Sequence, residues 1–148
     1  MDRSSIQKDS LIYLSLFTIS FLAATILPLS SELMLASLIV TSNYDSLLLL
    51  VVASFGNVLG SVFNWVLGYY LLKYLTKKWF PFKKNQIDLA SRWFKKFGLW
   101  SLLFAWVPII GDPLTVVAGI LRVKFFIFLI LVSIGKISRY FLFYYLLN

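Results

Sequence analysis

The stretch "VPIIGDPL", Val107 to Leu114, places an aspartate between a glycine and a proline inside an otherwise apolar segment. A charged carboxylate in hydrocarbon is costly, so its side chain must face protein or water. Non-helical backbone at membrane depth is tolerated only where protein buries it or water reaches it. Gly111 permits unusual dihedral angles, and Pro113 is suited to begin a helix. The stretch therefore predicts a break between two short helices, with Asp112 at a polar site.

The composition of the whole chain predicts an all-α integral membrane protein. Of its 148 residues, 60% are hydrophobic and only 14% are charged, which is too apolar for an ordinary soluble domain. The N-terminal segment lacks the charge pattern and small-residue site of a cleaved signal peptide, so we expect it to be retained. Cysteine and histidine are absent, which excludes disulfides, thiolate nucleophiles, imidazole chemistry and the usual zinc sites. We therefore expect no metal and no cofactor.

The first half of the chain predicts one broken helix and one full span. Leu11 to Ser31 is uncharged and helical in pattern, but Pro28 should break the helix near its end. The mainly apolar segment Leu33 to Tyr44 has only 12 residues, about 18 Å of helix against a hydrocarbon core of roughly 30 Å. This short segment fits a re-entrant arm, whereas Ser46 to Leu72 is long enough to cross the membrane with some tilt.

The second half predicts the same order of elements. Ile87 to Phe97 has the pattern of an amphipathic helix on the membrane surface. Phe97 to Pro108 is a short apolar arm, Pro113 to Leu121 returns, and Phe125 to Leu147 is long enough to span. Each half therefore consists of a broken hairpin followed by a transmembrane helix.

Short motifs indicate that the two halves are internal repeats. The segments "PLSSE" (Pro28 to Glu32) and "PIIGD" (Pro108 to Asp112) share the form Pro-x-x-x-acid and lie 80 residues apart. The segments "GNVLG" (Gly56 to Gly60) and "GKISR" (Gly135 to Arg139) recur at nearly the same separation. A hairpin and one span cross the membrane an odd number of times, so the halves must have opposite orientations, as in many secondary transporters.

The predicted fold is therefore an inverted repeat of two re-entrant helical hairpins, each followed by a transmembrane helix. One membrane domain, 1–148, would contain repeat 1 at about 11–72, a basic loop at 73–96 and repeat 2 at about 97–147. Pro28, Pro108, Gly111 and Pro113 are the predicted hinges.

The net charge of +8 is concentrated in the predicted loop. Eight cations between Lys73 and Lys96 are opposed by Asp88 alone. Such a run between apolar segments is typical of cytoplasmic loops facing an anionic leaflet. We therefore place the loop in the cytoplasm, expect a bacterial inner membrane, and expect no nucleic-acid partner.

Four charged residues are candidates for chemistry inside the membrane. Glu32 and Asp112 either cap the second arm of each hairpin or exchange protons and bind cations. Lys136 and Arg139, spaced i and i+3, share one helix face and either pair with these acids or extend to the interface. An anionic phosphate could replace the acids as their partner.

The first long span carries a stripe of polar and small residues. Asn57 and Asn64 lie on this stripe and would line a polar path or bind across to Asp112. Gly56 and Gly60 have the spacing of a helix-packing seam. Such a seam also permits a homodimer.

The segments "LPLSSEL", "GNVLG", "WVPIIGDPLTVVAG" and "GKISRY" together resemble the YqaA branch of the DedA-like membrane proteins, which carry the VTT or SNARE-associated domain. The resemblance covers about Leu11 to Tyr140 and implies two opposed re-entrant hairpins and a role in moving lipids between leaflets. DedA relatives are linked to undecaprenyl phosphate recycling and proton-motive-force homeostasis, and eukaryotic VTT relatives are phospholipid scramblases. Typical members have Arg-x-x-Pro-x-x-Arg in the second hairpin, but Ala105 and Gly111 occupy those arginine positions here. Lys136 and Arg139 are the available substitutes as phosphate ligands.

The leading hypothesis is a transporter or scramblase for a phospholipid or polyprenyl phosphate, with or without proton coupling. Its partners would be membrane lipids with anionic head groups, and protons. The alternatives are a scaffold or envelope-homeostasis protein that transports nothing, and an intramembrane aspartyl protease. We do not expect an enzyme, because the sequence around Asp112 lacks the Gly-x-Gly-Asp pattern of intramembrane aspartyl proteases.

Overall fold

The structure is a computed structural model that describes residues 3–25, 30–41, 44–70 and 77–147. These residues are helical almost throughout. No strand occurs in these residues, which agrees with the predicted all-α class. The elements are α1 (Arg3–Thr25), α2 (Ser30–Thr41), α3 (Ser46–Tyr70), α4 (Lys84–Phe97), a 3₁₀ helix (Gly98–Trp106), α5 (Gly111–Ile120) and α6 (Phe125–Leu147).

Two helices, α3 and α6, are long and apolar enough to cross a bilayer. Their 25 and 23 residues give lengths of about 37 and 34 Å, compared with a hydrocarbon core of roughly 30 Å. Both begin at the predicted residue, Ser46 and Phe125. The fold therefore fits an all-α integral membrane protein with α3 and α6 as its spans.

Three of the remaining elements are too short to span. The 12 residues of α2 and the 10 residues of α5 correspond to about 18 and 15 Å. The nine-residue 3₁₀ helix is about 18 Å long. The prediction of short arms around both breaks is therefore correct for these elements.

The first arm differs from the prediction. Helix α1 begins at Arg3, eight residues before the predicted Leu11, and its described part ends at Thr25. It has 23 residues, whereas the corresponding arm of the second half is the shorter 3₁₀ helix. The first turns of α1 contain the exposed polar residues Arg3, Gln7 and Lys8, so the apolar pattern of the sequence did not reveal the start of this helix. The predicted hinge Pro28 lies outside the described residues.

Helix α3 is the central element, because α1, α2, α5 and α6 all pack against it. Glycines allow the closest approach: a Cβ added at Gly56 or Gly60 would lie 2.6 Å from the carbonyl oxygen of Phe17 or Phe21 in α1. The predicted glycine packing seam is therefore correct, and its partner is α1 of the same chain. These buried glycines offer no surface to the predicted homodimer, which stays a prediction.

In the break before α5, the unusual backbone angle is found at a different residue from the one predicted. The left-handed residue is Ile109, with φ 74°, and not Gly111. Glycine is required at position 111 because a Cβ there would collide with the carbonyl group of Ala105. Pro108 lies in the turn, and its carbonyl accepts a hydrogen bond from Ile110 N at 2.9 Å. Pro113 is in the first turn of α5, where no backbone donor is needed.

The amphipathic helix of the basic loop is present as α4 and begins at Lys84, three residues before the predicted start. Its apolar face is covered by protein and not only by the membrane surface. Ile87 and Ala90 are buried against residues of α5 that include Leu114 and Val117.

Candidate functional site

One face of α6 carries the polar side chains at the centre of the candidate site. Lys136, Arg139 and Tyr140 lie at i, i+3 and i+4, and their side chains contact α5 or α2. Lys136 is 1% exposed and Tyr140 is fully buried. A cation with this burial must have a partner, because an isolated charge cannot be left in an apolar interior.

The partner of Lys136 is Asp112, in the first turn of α5. Lys136 Nζ lies 2.6 Å from Asp112 Oδ1, and the two side chains are 2% and 22% exposed. The backbone of the first helical turn also favours a negative charge at this position. Among the described residues, the Asp112 carboxylate accepts a hydrogen bond from Lys136 and none from a backbone amide of α5, so the geometry favours cation binding over the capping alternative.

Arg139 joins α6 to α2 and to the 3₁₀ helix. Its Nη2 forms an ion pair with Oε1 of Glu32, in the first turn of α2, although the contact lacks regular hydrogen-bond geometry. Its Nη1 donates a hydrogen bond of 2.6 Å to the carbonyl oxygen of Trp106. Arg139 Nε is buried without a partner. Of the two open alternatives, pairing is therefore observed for both cations, and extension to the interface is not.

A neutral hydrogen bond extends this network. The hydroxyl groups of Ser31 and Tyr140 lie 2.9 Å apart, and both side chains are buried. Sequence reasoning did not select either residue for the site. The available signal was positional, since Ser31 precedes Glu32 and Tyr140 follows Arg139.

The network is balanced in charge. Two acids, Glu32 and Asp112, face two cations, Lys136 and Arg139, and all four are close enough to act on one another electrostatically. Removing one member of such a buried set leaves an uncompensated charge, which is strongly destabilising. The set can therefore change only by exchanging partners, gaining or losing a proton, or accepting an external ion.

Asn57 and Asn64 are not part of this network. Asn57 Nδ2 donates to the carbonyl oxygen of Ser20 at 3.2 Å, and Asn64 Nδ2 donates to that of Ala24 at 2.8 Å. Of the two predicted roles, the contact with Asp112 is not formed, because both amides bind the backbone of α1, and the polar path stays a prediction. The side-chain Oδ1 atoms of both asparagines are buried without a partner.

A small cavity on the outer side of α6 reaches the network at one residue. It has a volume of about 230 Å³ and is lined by Trp106, Gly135, Ser138, Arg139 and Leu142. Lys136 is not among its lining residues. An external ligand in this cavity would meet Arg139 first.

The described residues contain no group of three or more acidic side chains, cysteines or histidines that could hold a metal ion. Each carboxylate of the network is matched to a nitrogen cation. Such a site favours ion pairing, hydrogen bonding and proton transfer.

Comparison with known proteins identifies relatives of this chain. The VTT domain matches residues 27–148, which confirms the resemblance to VTT proteins. The chain is 33% identical to the Escherichia coli "Inner membrane protein YqaA" over 89% of its length and 88% of that protein. It is 32% identical to a Haemophilus influenzae protein over 90% of its length and 85% of that protein. A Bacillus subtilis "Undecaprenyl phosphate transporter A" is 31% identical over 62% of this chain and 48% of that protein. No solved structure matches the chain.

Proposed function

This chain belongs to the VTT domain family, and on that premise we propose that it moves an anionic lipid between the leaflets of a bacterial inner membrane. Relatives named as an inner membrane protein and as undecaprenyl phosphate transporters support this class of function. The observation that carries the proposal is the buried charged network, which lies where both hairpins meet α6 and opens to a cavity at Arg139. The protein is then a transporter and not an enzyme.

The proposed topology places the network near the middle of the membrane. Helices α3 and α6 cross, the pairs α1/α2 and 3₁₀/α5 enter as opposed hairpins, and the basic segment faces the cytoplasm. Helix N-termini that point into the membrane attract anions. Glu32 and Asp112 occupy the first turns of α2 and α5, so a lipid phosphate would compete with these two carboxylates.

Arg139 is the proposed phosphate ligand. Its Nη2 is bound to Glu32, its Nε has no partner, and its Nη1 is held by Trp106. The Nε and Nη2 donors lie on one edge of a guanidinium group, which can bind a phosphate through two parallel hydrogen bonds. A lipid phosphate in the cavity would replace Glu32 on this edge while Trp106 keeps the guanidinium in place.

Lys136 and Asp112 have a different proposed role. Neither residue lines the cavity, and their ion pair fixes the start of α5 against α6. Protonation of Glu32 would release Arg139 to the phosphate, because a neutral carboxyl group no longer competes for the cation. This exchange is the proposed route for proton coupling.

The test is translocation of a fluorescent phosphatidic acid in proteoliposomes, with and without a proton gradient. We expect Arg139→Gln to reduce the rate at least about tenfold, the effect of losing about 1.4 kcal/mol of binding or barrier energy. Glu32→Gln leaves a neutral side chain that no longer competes for Arg139, so transport by this variant should no longer respond to the proton gradient. Ser138→Ala is the matched control, since Ser138 lines the cavity but its hydroxyl binds the carbonyl of Ile134. Movement that depends on the gradient supports coupling, and movement without it supports a scramblase.

Unchanged transport in a folded Arg139→Gln protein contradicts the proposed phosphate site. A second candidate, a membrane scaffold, is favoured by the charge balance and burial of the network, which suit a structural lock. It predicts that no lipid moves and that the same substitutions lower stability. An aspartyl protease is disfavoured, because Glu32 and Asp112 bind separate cations and do not form a carboxylate pair that shares a proton.

A further inference from the structure

Helix α4 and the segment before it carry a strongly cationic surface. From residue 77 to residue 97 there are seven cations and one acid, a net charge of +6. All eight side chains are exposed: Lys77, Lys78, Lys83, Lys84, Asp88, Arg92, Lys95 and Lys96. None of the ion pairs in the described part of the chain involves these cations.

The opposite face of α4 is apolar and packs against the second hairpin. Ile87 and Ala90 are buried in one cluster with Ile110 and Leu114 of the hairpin. Ile110 and Leu114 are two residues before and two residues after Asp112 in the chain. The inner face of α4 therefore bears directly on the turn of helix that presents Asp112 to Lys136.

Aromatic side chains at the C-terminal end of α4 and at the start of the 3₁₀ helix are exposed. Phe97 is 41% exposed and Trp100 is 68% exposed. Aromatic rings beside a cluster of cations are typical of helices that lie in the membrane–water interface. The charge and the apolar edge together fit a surface of anionic lipid head groups.

We propose that the cations of α4 bind anionic lipid head groups at the membrane surface and thereby stabilise the second hairpin at Asp112. Each lysine or arginine near an anionic surface gains attraction that falls off within a Debye length. Because Ile87 and Ala90 connect α4 to α5, this attraction holds α5 in the position that supports the Lys136–Asp112 pair. The anionic lipid content of the leaflet would thus regulate the hairpin. Binding at α4 does not depend on whether the protein transports lipid.

The experiment is amide hydrogen exchange across residues 110–117 in nanodiscs of phosphatidylcholine alone and of phosphatidylcholine with phosphatidylglycerol. We expect exchange to be at least about fivefold slower with the anionic lipid. This is the change expected if the attraction of one cation to the head groups stabilises α5 in full. Combined Lys83→Gln, Lys84→Gln, Arg92→Gln, Lys95→Gln and Lys96→Gln substitutions should remove this difference. The control, Arg3→Gln with Lys8→Gln, changes two exposed cations of α1 and should retain it.

A second measurement uses the unmodified chain, in case the five substitutions prevent folding. Raising the salt concentration should reduce the protection, because screening weakens the contact between α4 and the head groups. Equal exchange in both kinds of nanodisc overturns the proposal. It is also overturned if the folded variant with all five substitutions is still protected by the anionic lipid. Equal protection by a short RNA added to phosphatidylcholine nanodiscs would overturn it by assigning the cations to a nucleic-acid partner. The readout is independent of transport, so its failure and the failure of the proposed function can be distinguished.

Discussion

Removal of the amino group of Lys136 is the sharpest test of the buried network. Lys136→Met keeps most of the side-chain volume but leaves Asp112 without the contact at 2.6 Å. Breaking a fully buried ion pair by removing one partner costs about 3 to 5 kcal/mol. Asp112 is 22% exposed and Lys136 is 2% exposed, so we expect a loss at the lower end, about 3 kcal/mol.

This loss can be measured as a shift in the thermal midpoint of unfolding in detergent. For a chain of this size, about 3 kcal/mol corresponds to a decrease of about 6 to 12 °C. The double variant Lys136→Met with Asp112→Leu should recover most of this decrease, because it removes both charges and replaces them with apolar groups. Lowering the pH should also partly rescue the single variant, since protonated Asp112 carries no unpaired charge.

The double variant separates a buried ion pair from a general packing defect. A packing defect at position 136 would persist in the double variant and would not respond to pH. A single variant that unfolds within about 1 °C of wild type, less than the shift expected for 1 kcal/mol, would refute the reasoning. Failure of the double variant to recover stability would refute it equally.

Three smaller perturbations test the packing and hydrogen bonds around the network. Gly60→Leu should destabilise the protein by about 1 to 3 kcal/mol in denaturant titrations, because a Cβ at Gly60 would already lie 2.5 Å from Ala24 Cβ. A variant as stable as wild type would show that α1 and α3 are further apart. Tyr140→Phe removes the hydrogen bond to Ser31 and should lower the free energy of unfolding by about 1 kcal/mol, and a double-mutant cycle with Ser31→Ala should assign that loss to the pair. Asn64→Leu leaves the Ala24 carbonyl without its donor and should cost about 1 to 3 kcal/mol; a change under about 0.5 kcal/mol would contradict the role of this bond.

Sequence patterns predicted the helices well where burial and length determined them. Helices α3 and α6 begin at the predicted residues because a long, mainly apolar run that follows a polar turn admits few other arrangements in a membrane. The pairing of acids with cations could also be expected, since few charges lie outside the loops and the N-terminal segment. These parts of the fold follow from the cost of placing charges and backbone groups in hydrocarbon.

The remaining details depend on contacts between distant segments. Ile109 adopts the left-handed conformation while Gly111 makes room for Ala105, and residue type alone assigns the unusual dihedral angle to the glycine. The specific pairs, Lys136 with Asp112 and Arg139 with Glu32, depend on how α6 is rotated against α5 and α2. The binding of Asn64 to Ala24 and not to Asp112 likewise depends on the packing of α1 against α3.

Asn64 and Arg139 bind backbone carbonyl groups with different chemistry. The neutral amide of Asn64 in α3 donates to the carbonyl of Ala24 in α1. The cation of Arg139 in α6 donates to Trp106 at the end of the 3₁₀ helix and also forms an ion pair with Glu32 of α2. The neutral donor joins two helices, whereas the cation joins three elements, so a ligand that attracts Arg139 would act on the contacts of α6 with α2 and with the 3₁₀ helix at once.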